Sequence, residues 1–166
     1  GDEFSIANAG GVAYYDSVIY AISDNPGAVL RFKASDGTPL NGWTVSYRTG
    51  DVDVDTTGHV FVSHKIEAMF SVYDTDGTEL TGSPFGVAGW HLNRGLSVTQ
   101  DGSKVFLADE SSDVIAMYTG SISGTVADYT QGTDFMTGLS NPSACEIDPN
   151  GRMWISNTGS NELIIV

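Results

Sequence analysis

Three aspartates, Asp51, Asp53 and Asp55, alternate with Val52 and Val54 and are followed by Gly58. Carboxylates in such a run suit a calcium loop, but the internal glycine spacing and terminal glutamate of an EF-hand are missing. Alternation is the period of a strand, which puts all three carboxylates on one face. If that face packs on a neighbour they need hydrogen-bond donors or a cation, because unpaired buried charge is costly. The residues favour a strand with solvated ends and one hydrogen-bonded aspartate. His59 and His64 fall five apart on one expected strand and point to opposite faces and ends, while His91 sits in a connection beside Trp90. The three imidazoles therefore make no zinc site. His64, expected beside Asp109, suits a general base or a member of a larger ligand cluster, against the plainer reading of a polar group at a loop edge. Cys145, the one cysteine, lies in an apolar segment and reads as a small buried side chain. Trp43, Trp90 and Trp154 are candidate partner contacts, with Trp90 and His91 on a connection long enough to reach a ligand. No Gly-x-Ser-x-Gly, Walker loop, CxxC pair or CxxCH is present, and Pro142 disables the sequon that begins at Asn141.

The elements that must position these residues are written as a repeat. The segments VIYAIS (18–23), HVFVSH (59–64), KVFLAD (104–109) and RMWISN (152–157) align Tyr20, Phe61, Phe106 and Trp154 in one column. Twelve residues after each stand Phe32, Tyr73, Tyr118 and Val166. Successive members of the first column are 41, 45 and 48 residues apart, so insertions fall between repeats while the internal offset stays fixed. Asp16-Ser17, Thr57-Gly58, Asp101-Gly102 and Asn150-Gly151 separate the first and second strands; pairs of this kind supply the positive φ of tight hairpins. The best helical stretch, 64–71, is overruled by the repeat. Fourth strands are expected at 43–47, 85–88 and 125–129.

Repeats of this length with four short strands are the mark of β-propeller blades. One four-stranded sheet cannot bury both faces alone, and radial packing covers them. The expected fold is therefore all-β: a propeller of four blades with four antiparallel strands each, or a part of a larger propeller. The blades are expected at 8–47, 48–90, 91–139 and 140–166, with residues 2–7 closing the last as its outer strand.

The third repeat, NRGLSVTQDGSKVFLADESSDVIAMY (93–118), resembles the repeat of the NHL and SMP-30/gluconolactonase-like propellers. The fourth, NPSACEIDPNGRMWISNTGSNELIIV (141–166), resembles the same superfamily, including virginiamycin B lyase-like proteins. The second resembles an NHL repeat with His64 where aspartate is usual. Such propellers usually have six blades, and this length serves four. The loops before each first strand and after each second strand meet on one face, gathering Asn8, Gly50, Asn93 and Asn141 with Ser23, His64, Asp109 and Asn157. The resemblance implies a divalent cation near the axis of that face, and Asn93, Asp109, Asn141 and Asn157 match its ligands by type or position. Oxygen donors suit Ca²⁺ or Mg²⁺, which would polarise a carbonyl or activate water. The competing reading is that these side chains cap turns.

Composition narrows the partners. Seven Lys and Arg against 21 Asp and Glu give a net charge of −14, which opposes phosphate backbones and anionic lipid. No run is long and apolar enough for a membrane helix. Two functions stand: an NHL-like binding or scaffold module showing a loop face to a protein or glycan, and a metal-dependent hydrolase of lactonase type or lyase built on Asn93, Asp109, Asn141 and His64. The binding module is favoured because no complete acid, base and ligand set can be read. An extracellular or periplasmic location is expected, as is self-association or pairing with another chain to complete the propeller.

Overall fold

The computed structural model describes residues 6–87 and 91–166. The first sheet is an antiparallel meander of β1 (Ala9–Tyr15), β2 (Val18–Ser23), β3 (Ala28–Lys33) and β4 (Pro39–Thr44). The second joins β5 (Thr49–Val54), β6 (Val60–His64), β7 (Ala68–Tyr73) and β8 (Phe85–Val87). The third joins β9 (Asn93–Val98), β10 (Lys104–Asp109), β11 (Val114–Ser123) and β12 (Val126–Gln131). The fourth has three strands, β13 (Pro142–Ile147), β14 (Met153–Asn157) and β15 (Glu162–Ile165). These are the blades of a β-propeller. Among the described residues the only helical element is a turn at Thr158–Ser160, and no helix is long and apolar enough to cross a membrane.

Hairpin chemistry accounts for the meanders. Asp16 and Ser17 both adopt positive φ, 44° and 65°, which matches the twist of the strands they join. Gly58, Gly102 and Gly151 take the same role in the other blades at φ 95°, 71° and 82°. Strand β6 is buried along its whole length, so Val-Phe-Val needs no polar face. The reason is that it lies between two blades. Val60 and Val62 pack with Tyr20, Ile22, Val29 and Tyr73 at the joint of the first two blades. Phe61 points the other way, with Phe70, Leu96, Leu107, Tyr118 and Tyr129 at the second joint. Phe106 and Ala108 then meet Cys145, Met153 and Ile155 at the third. Three members of the aromatic column, Tyr20, Phe61 and Phe106, thus point forward into the following blade, while the residues that flank Phe61 on its strand point back.

The inner strands β1, β5, β9 and β13 approach one another around the axis. A Cβ on Gly50 would lie 2.4 Å from the Asn93 carbonyl oxygen, so only glycine permits that approach. Side chains also bond across the gap. Asp51 Oδ2 accepts from the Leu96 amide at 3.1 Å and Asp53 Oδ2 from the Val98 amide at 2.8 Å. One blade further, the Ile147 amide donates to Ser97 Oγ at 3.1 Å.

Three expectations change. All three aspartates are hydrogen-bonded, not one: Asp55, buried, accepts from the Thr57 and His59 amides and faces His59 Nδ1 at 3.0 Å. The outer strand of the first blade is Pro39–Thr44, earlier than 43–47, because Arg31 pairs with Leu40 and Phe32 with Pro39. Trp43 is half-buried against Tyr73 at 5.7 Å and is no free surface aromatic. Of the expected closing strand, residues 2–5 lie outside the described residues. Ile6 and Ala7 are not strand, and the Ala7 carbonyl accepts from Ser23 Oγ at 2.7 Å, which ties it to the first blade.

Candidate functional site

Each inner strand is irregular where it enters the sheet. Register shifts fall between Ala9 and Val12, between Thr49 and Val52, at the Ala108/Asp109 step opposite Asn93–Gly95, and between Pro142 and Ala144. A bulge at the same place in every blade re-aims the residues that start the inner strand toward the loop face.

The polar column at the ends of the second strands is buried: Ser23, His64, Asp109 and Asn157 are 6%, 0%, 5% and 4% exposed. Each is committed to a local tie. His64 stacks on Tyr47 with centroids 4.2 Å apart, and its Nε2 meets Ser71 Oγ at 3.0 Å. Burial pushes its pKa down to about 4, so it is neutral at ordinary pH. Asn157 Oδ1 accepts from the Ser140 amide at 2.7 Å, and its Nδ2 donates to Glu162 at 3.2 Å.

Asp109 is different because its ties gather other functional groups. Oδ1 accepts from the Ser111 and Ser112 amides at 2.9 and 3.1 Å; Oδ2 accepts from Ser112 Oγ at 2.8 Å and lies 2.8 Å from His91 Nδ1. The imidazole on Asp109 is thus that of His91. His64, expected there, spends its ring on Tyr47 and Ser71. Asn93 pairs with Asp109 across the bulge; its Nδ2 donates to the Glu67 carbonyl, while its buried Oδ1 has no partner. These groups line a cavity of about 190 Å³, together with Leu107, Ala116 and Tyr118 below and Gln131 and Asp134 at its edge. Ser112 Oγ donates to the carboxylate and sits 3.3 Å from the same Nδ1. It is therefore a brace for the pair and not a nucleophile with a base on it.

Asn93, Asp109 and His91 are the expected residues that the fold brings together. Asn141, exposed at φ 48°, begins the fourth blade, where its amide donates to Asp113 at 2.8 Å. Neither Asn141 nor Asn157 lines the cavity. Both amide atoms of Asn157 are engaged in hydrogen bonds, to Ser140 and Glu162. Among the described residues no group of three or more His, Cys, Asp or Glu is placed to hold a metal ion. Trp90 lies outside the described residues. Cys145 is buried, its thiol pushed up by that burial, so it is no nucleophile.

Several residues carry weight that sequence reasoning missed. Ser112 and Asp134 belong to the cavity; Asp109 followed by Ser111-Ser112 is an Asx-turn pattern that would have flagged the first. Asp24 holds Arg48 at 2.7 Å and Lys65 at 2.6 Å on the same loop face, and the Arg48 hydrogen bond keeps its carboxyl below the usual range. On the axis, Tyr14, Asp53, Val98 and Glu146, one from each inner strand, line a cavity of about 320 Å³. Burial raises Asp51 to about 6, against the Leu96 and Val52 amides that lower it. Burial, then Asp53 and Asp51, raises Glu146 to about 7.

No family model matches the chain, and no curated protein is similar to it in sequence. Solved structures are similar in fold. A nidogen/laminin complex matches at TM-score 0.69 and 15% identity over 95% of this chain and 60% of that one. Virginiamycin B lyase from Staphylococcus aureus matches at 0.68 and 10%, over 96% and 55%. The computationally designed Ika4 protein matches at 0.68 and 11%, over 100% and 98%. The chain thus spans little more than half of the first two and nearly the whole of the third.

Proposed function

We propose that the chain is a propeller binding module whose loop face holds a protein partner by one inserted basic side chain. The observation that carries this is the cavity of about 190 Å³. It is below the roughly 300–1,000 Å³ of small-molecule pockets, and suits a single side chain. Its polar lining accepts more than it donates: Asp109, Asp134, Gln131 and the partnerless Asn93 Oδ1. A guanidinium or ammonium meets such a lining with charge-assisted bonds, and the net charge of −14 steers a basic partner toward it. The nidogen/laminin neighbour is itself a propeller in a protein complex. A glycan would use the same face through neutral hydrogen bonds. The two terminal blade faces are proposed to take further blades, and the location is proposed to be extracellular or periplasmic.

Panning a displayed random-peptide library on the immobilised chain tests the reading. Arg- or Lys-centred sequences should enrich, and Asp134→Asn should weaken them roughly thirtyfold, as loss of one partner of a desolvated charge pair does. Enrichment without a basic residue, or binding indifferent to Asp134→Asn, would overturn it. One observation favours a second reading as a hydrolase or lyase: Asp109 orients His91 as it would a general base. That reading requires Ca²⁺ or Mg²⁺ to raise the melting temperature by mass action.

A further inference from the structure

The carboxylate inside the cavity on the loop face has no acceptor site left for a ligand. Asp109 Oδ1 takes the Ser111 and Ser112 amides, and Oδ2 takes Ser112 Oγ and His91 Nδ1, which fills the roughly four lone-pair sites of a carboxylate. Asp109 therefore acts on an entering group through its charge and through what it does to His91. Oδ2 only accepts, and the one proton of Ser112 Oγ goes to it. The neutral ring of His91 thus carries its proton on Nδ1 and keeps Nε2 as a bare acceptor. Asn93 is fixed in a similar way. Its Nδ2 donates to the Glu67 carbonyl, which sets the orientation of the amide. Its Oδ1 is left without a partner, in a residue that is 0% exposed. Both side chains line the cavity, Asp134 brings a carboxylate to its edge, and Ala68, Leu107 and Ala116 add an apolar wall.

We propose that these acceptors select an unmodified lysine ammonium, and that methylation or acetylation of that lysine ends its recognition. The inference rests on the reading of this cavity as the seat of one basic side chain. Its acceptors stand on three different segments, His91 before β9, Asn93 within it and Asp134 after β12. Such an arrangement asks for donors that diverge from one point. An ammonium has three N–H donors of that kind and no acceptor. A guanidinium spreads its donors in a planar fork, and its advantage over lysine is bidentate pairing with a carboxylate. Both oxygens of Asp109 are filled, so that advantage is lost inside the cavity. Lysine also brings a long hydrocarbon stem for the apolar wall to cover. Full methylation keeps the charge but removes every N–H, which leaves Asn93 Oδ1 buried and unpaired. Acetylation removes the charge that Asp109 and Asp134 favour.

The probes are end-capped Gly-Lys-Gly, Gly-Arg-Gly, and the acetyl-lysine and trimethyl-lysine forms of the first. Each is titrated into the isotope-labelled chain and followed by chemical shifts, the Asn93 side-chain amide among them. The lysine peptide should bind, and the other three should be weaker by roughly tenfold or more, as loss of a hydrogen bond to a charged group requires. Asn93→Leu, its folding checked by far-UV circular dichroism, should bring lysine down to the level of trimethyl-lysine. The comparison of the four peptides on the wild type needs no variant at all. Arginine or trimethyl-lysine binding as tightly as lysine overturns the selection of an ammonium and leaves the basic side chain standing. A lysine preference that a folded Asn93→Leu keeps overturns Asn93 as the selector. Acetyl-lysine binding as tightly as lysine, or no binding by either basic peptide, overturns the basic side chain and this inference with it.

Discussion

Asp51→Asn isolates the cost of holding a carboxylate at a blade joint. Asp51 bonds the Leu96 amide through Oδ2 and the Val52 amide through Oδ1, yet burial outweighs both and raises it from 3.8 to about 6. A folded-state value above the unfolded one means that the native fold prefers the protonated acid. Its contribution to stability is therefore whole below the unfolded value and is lost as pH rises through about 6. The full loss is about 3 kcal/mol, two pK units at 1.36 kcal/mol each. An asparagine has no charge to bury. It keeps one amide bond and gives up the other, at about 1 kcal/mol independent of pH. Between about pH 4.5 and about pH 8 the stability difference between variant and wild type should move by about 2 kcal/mol in the variant's favour. Urea unfolding of both proteins at the two pH values measures it, and groups titrating elsewhere cancel in the difference. A difference that stays flat, or that moves toward the wild type at high pH, would refute the argument that desolvation dominates at this joint.

Two further outcomes follow from the packing. Tyr129→Phe leaves the ring between Phe61, Phe70 and Phe85 but strands the Gly102 carbonyl that its hydroxyl serves; the urea midpoint should fall by an amount equal to about 1–2 kcal/mol. Gly50→Ala drives a methyl into the Asn93 carbonyl at the joint of β5 and β9, and thermal melting should show a loss of about 1–3 kcal/mol, as overpacking does.

The blades were legible because their signal is an offset. Tyr20, Phe61, Phe106 and Trp154 keep a twelve-residue distance to the third strand whatever the loops do, and three of the four are buried at blade joints. Turn residues were legible for a similar local reason, since Gly58, Gly102 and Gly151 answer a backbone demand. The site was legible only in part. Asn93 and Asp109 sit at repeat positions and so could be gathered in advance. His91 could not be paired with Asp109 over His64, because that pairing depends on how a connection between blades folds back, which no period encodes. The run Asp51, Asp53, Asp55 read as a strand with solvated ends and one hydrogen-bonded aspartate because the partners of Asp51 and Asp53 are main-chain amides 45 residues away. A backbone donor leaves no trace in residue type.

Those same two bonds bear on how such a chain changes over time. Asp51 and Asp53 grip Leu96 and Val98 by their amides, a feature every residue except proline presents. The strand that donates those amides can therefore drift in sequence, or be replaced by a duplicated neighbour, without the blade that carries the aspartates having to mutate in step. A joint made this way is indifferent to ancestry, and a propeller using it can be lengthened, shortened or recombined blade by blade.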